Sequence, residues 1–194
     1  VQNFTTATST YNTAVGYSAG ESVTTATSNT LVGGLAGDAL TDADFNVAVG
    51  KSALSADTLG NRSVALGAFA LEVQNFTTAT DVYNTAVGHG AGAAVTTGDQ
   101  NTLIGGLAGV AVTTGRRNTA IGHVALSTDT LGKNNTAIGY AALYAQNFTT
   151  ATDAYNTAVG SVAGGAITTG IQNTLVGALA GDALTDADFN VGIG

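Results

Sequence analysis

The chain has no cysteine, proline, methionine or tryptophan. Without cysteine there is no disulfide, no thiolate metal ligand and no cysteine nucleophile. The compartment stays open, because a protein held by backbone pairing needs no disulfide. Charge and rings are also scarce: charged residues make up 9% of the 194 residues and aromatics 6%. An ordinary enzyme surface and an ordinary aromatic core are therefore both missing. The only cations, Lys51, Arg62, Arg116, Arg117 and Lys133, stand against a net charge of -8, which argues against nucleic acid or an anionic membrane as partner. No run approaches the roughly 18 apolar residues of a bilayer span, so no membrane insertion is expected. No signal-peptide pattern opens the chain. A chain that starts at Val1 without an initiator is expected to be a segment of a longer one. Disorder is excluded from the other side, because the hydrophobic fraction of 44% is too high for a solvated coil.

What is abundant is glycine, 27 residues, and it is periodic. The string Val1–Thr8 recurs at Val73–Thr80 and, with Ala145 first, at Ala145–Thr152, a shift of 72 residues each time. Inside that period the motif Asn-Thr-Ala-Val-Gly recurs, with its glycine at 16, 33, 50, 67, 88, 105, 122, 139, 160, 177 and 194. The intervals are 17, 17, 17 and 21, and then the same four again. Such a unit is too short for a helix pair and fits one coil of a β-solenoid. The expected fold is all-β: a parallel β-solenoid or β-roll with 17-residue coils, 21 in every fourth. Residues 1–194 form one continuous rod, with super-repeats at 1–72, 73–144 and, in part, 145–194.

Position by position the coil is stereotyped. An aliphatic residue precedes each ladder glycine, Thr or Val stands three before it, and Asn four before it except at Ser63. Ala stands three after each of the first ten glycines, and Thr or Asn eight after. In a strand of period two, Thr13 and Val15 share one face, while Asn12, Ala14 and Gly16 share the other. The Val and Ile column is expected to fill the interior, which turns the first Thr column inward. The Asn column is expected to bond side chain to side chain, and glycine to sit where the backbone turns or another chain approaches. Ten steps of about 4.8 Å give a rod of about 48 Å. The Asn-Phe-Thr-Thr-Ala-Thr insertions of the long coils should bulge out.

The copy Arg62-Ser63-Val64-Ala65-Leu66-Gly67 resembles the head repeats of YadA-like trimeric autotransporter adhesins, a left-handed parallel β-roll. Asn135-Thr136-Ala137-Ile138-Gly139-Tyr140-Ala141-Ala142-Leu143 resembles the repeats of bacteriophage tail-fibre proteins. The resemblance covers essentially the whole chain. It implies a homotrimeric, fibrous, extracellular protein of a virion tail fibre or cell surface. Its partners would be copies of itself and a host-cell surface receptor or glycan. The coils here are longer than those of the adhesin heads, so handedness and cross-section do not carry over. The residues offer their own support for an intertwined or side-by-side homotrimer: the Ala column and the Gly/Ala face would be uncovered on a thin solenoid and are economically buried against copies. The other reading has Ala and Gly lining the narrow interior.

Candidate chemistry is sparse, and no cofactor is implied. His89 and His123, the only histidines, lie two coils apart, about 10 Å, too far to share a metal within one chain. Gly50-Lys51-Ser52 lacks the earlier glycine of a phosphate loop, and Gly88-His89-Gly90-Ala91-Gly92 is followed by no helix, so both read as solenoid turns. Asp38, Asp42 and Asp44, echoed by Asp182, Asp186 and Asp188, are the weak metal-ligand candidates, because hard cations favour oxygen clusters. The middle copy replaces them by Val110, Thr114 and Arg116, so the architecture does not require an ion. Asp99 and Arg116, 17 residues apart, are expected to pair between coils. Phe4, Tyr11, Phe76, Tyr83, Phe148 and Tyr155, in or beside the insertions, are the candidate receptor contacts, with pinning of the insertion as the competing role. Regular Thr columns raise ice binding, against which stand Asn75 and Asn147 in the second column. The expected function is a non-enzymatic fibre or head segment that presents a receptor-binding surface.

Overall fold

The computed structural model describes residues 9–194. Eleven three-residue strands lie on the motif before each ladder glycine: Thr13–Val15, Thr30–Val32, Val47–Val49, Val64–Leu66, Thr85–Val87, Thr102–Ile104, Thr119–Ile121, Thr136–Ile138, Thr157–Val159, Thr174–Val176 and Val191–Ile193. They pair in chain order as one parallel sheet. The register follows the repeat, with Thr85 opposite Thr102 and Val87 opposite Ile104. Short second pairs, Gly60–Asn61 with Thr80–Asp81 and Gly132–Lys133 with Thr152–Asp153, stiffen the wall where a long coil stacks on a short one. The chain is thus an all-β parallel β-solenoid of about eleven turns, about 17 residues each.

The faces of the strands are reversed from the sequence expectation. Ala86, Leu103, Ala120, Ala137 and Ala158 are fully buried, whereas the Thr and Val or Ile on either side of each are only partly covered. Asparagine decides the matter. Asn118 Nδ2 donates to the Gly132 carbonyl at 2.9 Å, and its Oδ1 accepts the Asn135 amide at 3.0 Å. The same pair of bonds recurs from Asn29 to Asn173, except where Ser63 replaces Asn and at Asn135, whose Nδ2 donates to Asn118 Oδ1. Such partners exist only inside the coil, and a buried amide without them would be costly. Asn therefore goes in. By period two the residue two places later goes in with it, and Thr and Val go out. The ladder runs mainly from side chain to backbone rather than between side chains.

The interior is filled by small columns. Ala36, Ala53, Ala70, Ala91, Ala108, Ala125, Ala142 and Ala163 are all fully buried, so the Ala column lines the narrow core. The larger fillers alternate by pairs of coils. Where Gly stands four after the ladder glycine (Gly20, Gly37, Gly92, Gly109, Gly164), an aliphatic stands seven after it: Val23, Leu40, Val95, Val112 and Ile167. Where Leu54, Leu71, Leu126 or Leu143 takes the first place, Asp57, Gln74, Asp129 or Gln146 takes the second. Volume is conserved and one polar position is freed.

Two geometric demands explain the glycine column. Gly122 has φ +137°, and a Cβ there would lie 2.4 Å from the Gly139 carbonyl oxygen of the next coil. No L side chain fits that approach. Each bend also passes through left-handed residues that are frequently not glycine. Leu126 (φ +50°), Val124 (φ +51°) and Arg117 (φ +57°) are examples from one coil. Gly50-Lys51-Ser52 and Gly88–Gly92 are turns of this kind, with Ser52 at φ +53° and Gly90 at φ +63°.

Candidate functional site

The insertion aromatics divide. Phe76 and Phe148 are 8% and 5% exposed, so they pack the insertion against the rod and present little surface to solvent. Thr77, Thr78 and Ala79 form the bulge that reaches solvent. Phe4 lies outside the described residues. Tyr11, Tyr83 and Tyr155 are exposed, each five residues before a ladder glycine and in left-handed backbone. Phe45 and Phe189 occupy the same phase and are also exposed, which the sequence reading missed because it followed the insertions rather than the 17-residue register. The Arg62 guanidinium lies 4.8 Å from the Phe45 ring centroid and 6.0 Å from that of Tyr83, and pairs with Asp81 at 3.0 Å. Three successive coils thus carry a ring, a cation and a ring.

The acidic candidates do not converge. Asp42 Oδ1 accepts from the Thr25 hydroxyl, Asp44 Oδ1 from the Thr27 amide and hydroxyl, Asp188 Oδ1 from the Ile171 amide and Asp186 Oδ1 from the Thr185 hydroxyl. All but the last of these contacts join neighbouring coils. Burial, with a contribution from Glu21, pushes the Asp38 carboxyl up. Among the described residues no group of three or more His, Asp or Glu side chains is placed to hold a metal ion. His89 meets the Phe69 ring edge-on and His123 stacks on Tyr140, so the two histidines serve separate aromatic contacts. Asp99 and Arg116 do pair between coils, Oδ1 to Nε at 3.7 Å.

Two further sites were not legible in advance. Asp57, fully buried, accepts the Gly60 and Phe76 amides on Oδ1 and Gln74 Nε2 on Oδ2. Gln74 passes the polarity on by accepting Asn84 Nδ2 at 2.8 Å. One super-repeat later, Asp129, Gln146 and Asn156 reproduce the chain. Burial pushes both carboxyls above the usual carboxylate range, against the pull of these donors. Chemically this is an anchor: the carboxylate clamps the amide of the buried Phe and fixes where the insertion leaves the rod.

The second is the outer face of the large sheet. Thr13, Thr30, Thr85, Thr102, Thr119, Thr136, Thr157 and Thr174 stand beside Val15, Val32, Val87, Ile104, Ile121, Ile138, Val159 and Val176, with no charged side chain in either column. The other Thr column is consumed internally. Thr96 and Thr113 donate to the carbonyls of Thr113 and Thr130, and Thr58 donates to Asn75 Oδ1, so Asn75 continues that ladder instead of breaking it.

Comparison with protein-family models, curated proteins and solved structures finds no match to the chain.

Proposed function

We propose that this chain is a segment of a non-enzymatic extracellular fibre, the shaft or head of a virus tail fibre or surface adhesin, working as a homotrimer. The observation that carries this reading is the uncharged Thr and Val/Ile stripe on the outer sheet face, continuous over eleven strands, half-covered on the middle ones and exposed on the end ones. An uncharged stripe of Thr beside Val and Ile about 48 Å long is economically buried against its own copies under closed symmetry. The resemblance to adhesin and tail-fibre repeats supports the number three and the setting, with a bacterial trimeric adhesin head as the variant of the same reading. Stacked coils supply stiffness, and the exposed tyrosines and insertion bulges supply receptor contacts. Sedimentation equilibrium tests it: the intact chain should have the mass of three copies, and Ile121→Lys with Ile138→Lys should give monomers. A monomeric parent chain would overturn it.

A second reading is favoured by one observation. The first Thr column faces outward and in register, with Val47, Val64 and Val191 in its place in three coils. Thermal hysteresis of the monomer, lost in Thr119→Lys, would support it. No hysteresis in a monomeric sample would remove it.

A further inference from the structure

Side chains in a solenoid stack on their counterparts about 4.8 Å away, so a large pair followed by a small pair leaves a step. One such step occurs past Gly139. Tyr140 and Tyr144 stand one and five residues after that glycine, whereas the next coil has Ser161 and Gly165 in those places. The result is a surface cavity of about 420 Å³, with Tyr140, Tyr144 and His123 around it and Val162 and Gly165 on the following coil. Both tyrosines are exposed. The His123 ring lies 9° from parallel to Tyr140, with centroids 5.9 Å apart, so the two rings stack.

No carboxylate, ammonium or guanidinium lines the cavity. The matching ligand is neutral, has an apolar face to lie on a ring, and carries polar groups at its edge for the phenol hydroxyls and the imidazole. The volume falls within the range of small-ligand sites. A pyranose sugar has each of these properties. We infer that this step is a binding site for a neutral hexopyranose, with Tyr140 as the platform, Tyr144 as the side wall and His123 as the ring stacked on Tyr140. The inference deepens the fibre reading, on which it rests, by giving the shaft a glycan contact of stated chemistry. One super-repeat earlier the same two phases hold Ala68 and Glu72, so that position supplies neither ring and serves as an internal comparison.

The test uses the intact chain and methyl glycosides of glucose, galactose and mannose with their short oligomers. Saturation-transfer NMR reads binding, and because the chain has no tryptophan and six tyrosines, the part of the tyrosine emission change that is lost in Tyr140→Ala gives a second signal. At least one neutral sugar should bind saturably with Kd of about 1 mM or tighter. Tyr140→Ala should weaken it about tenfold or more. Ser161→Tyr, which removes no lining ring and extends the stack into the step, should abolish it while the thermal melt stays close to that of the parent. Absence of saturable binding across the series, or equal binding by parent and Ser161→Tyr, would overturn the inference. Sedimentation on the same samples separates the two ideas. A trimer that binds no sugar removes the site alone, and a monomer that binds removes the fibre reading alone.

Discussion

Gln146 donates from Nε2 to Asp129 Oδ2 at 2.6 Å, with both residues fully buried. The contact is one link of a directional chain, since Gln146 Oε1 accepts Asn156 Nδ2 and Asn156 Nδ2 also donates to the Gly170 carbonyl. Asp57 and Gln74 repeat it. Each donor has one workable orientation, so reversing one amide would set donor against donor at the next.

Stability is expected to rise on acidification from neutral pH. The resolved carboxyl shifts, at Asp38, Asp57 and Asp129, are all upward, and burial is the leading cause of each. A raised native pKa means that the folded state holds more protons between the ordinary carboxyl value of 3.8 and the raised value. The corresponding stability is fully present below the unfolded pKa and is lost as pH rises through the folded one. Thermal melts from pH 7 to pH 4 should show Tm climbing, and Asp57→Asn with Asp129→Asn should flatten the slope. A parent whose Tm falls steadily across that range would contradict this.

Gly122→Ala should be among the most damaging single changes. The added methyl meets the Gly139 carbonyl oxygen at 2.4 Å and carbon at 2.6 Å, both backbone atoms, in a conformation with φ +137°. Neither can move without breaking the ladder, so a loss of several kcal/mol, on the order of 3 or more, is expected. Chemical denaturation measures it, with Gly106→Ala as the permissive control, because its nearest neighbour is the movable His123 side chain at 3.3 Å.

Leu126→Ala should cost about 2–5 kcal/mol, the range for a leucine deleted from a close-packed core. The coil's other filling position holds Asp129, which supplies no apolar replacement. The reverse change, Gly92→Leu, should also destabilise, because even its Cβ would lie 2.6 Å from Leu103 Cδ1. Urea midpoints of the two variants test the volume argument from both directions.

A double-mutant cycle on Asp99 and Arg116 should return a coupling of about 0.2–1 kcal/mol that shrinks in high salt. The pair is open to solvent on the Arg side, 45% exposed, and its 3.7 Å separation is long for a charge-assisted contact.

The repeat made the coil, its register and the ladder glycines legible, because a period of 17 with a fixed strand motif admits few backbone solutions. The Asp99–Arg116 pair followed from register alone. What periodicity could not settle was which strand face goes inside. Both faces carry apolar residues, Ala or Leu on one and Val or Ile on the other, and only the hydrogen-bond needs of Asn118 and its counterparts break the tie. The anchors at Asp57 and Asp129 escaped because a lone Asp in a turn-rich string looks solvated until Gln74 and Gln146 are brought over it. The Tyr140 and Tyr144 step escaped because it depends on what the next coil lacks.

The alternation of fillers makes the four-coil block, not the single coil, the unit by which this rod can change length. Asp57 sits on one coil, Gln74 on the next and Asn84 at the start of the one after, so excising any coil between them strands a buried carboxylate. Adding or removing a whole block of 72 residues leaves every neighbour relation intact and alters reach by about 19 Å. The rod therefore changes length in whole blocks, and their copy number sets the distance between its two end coils.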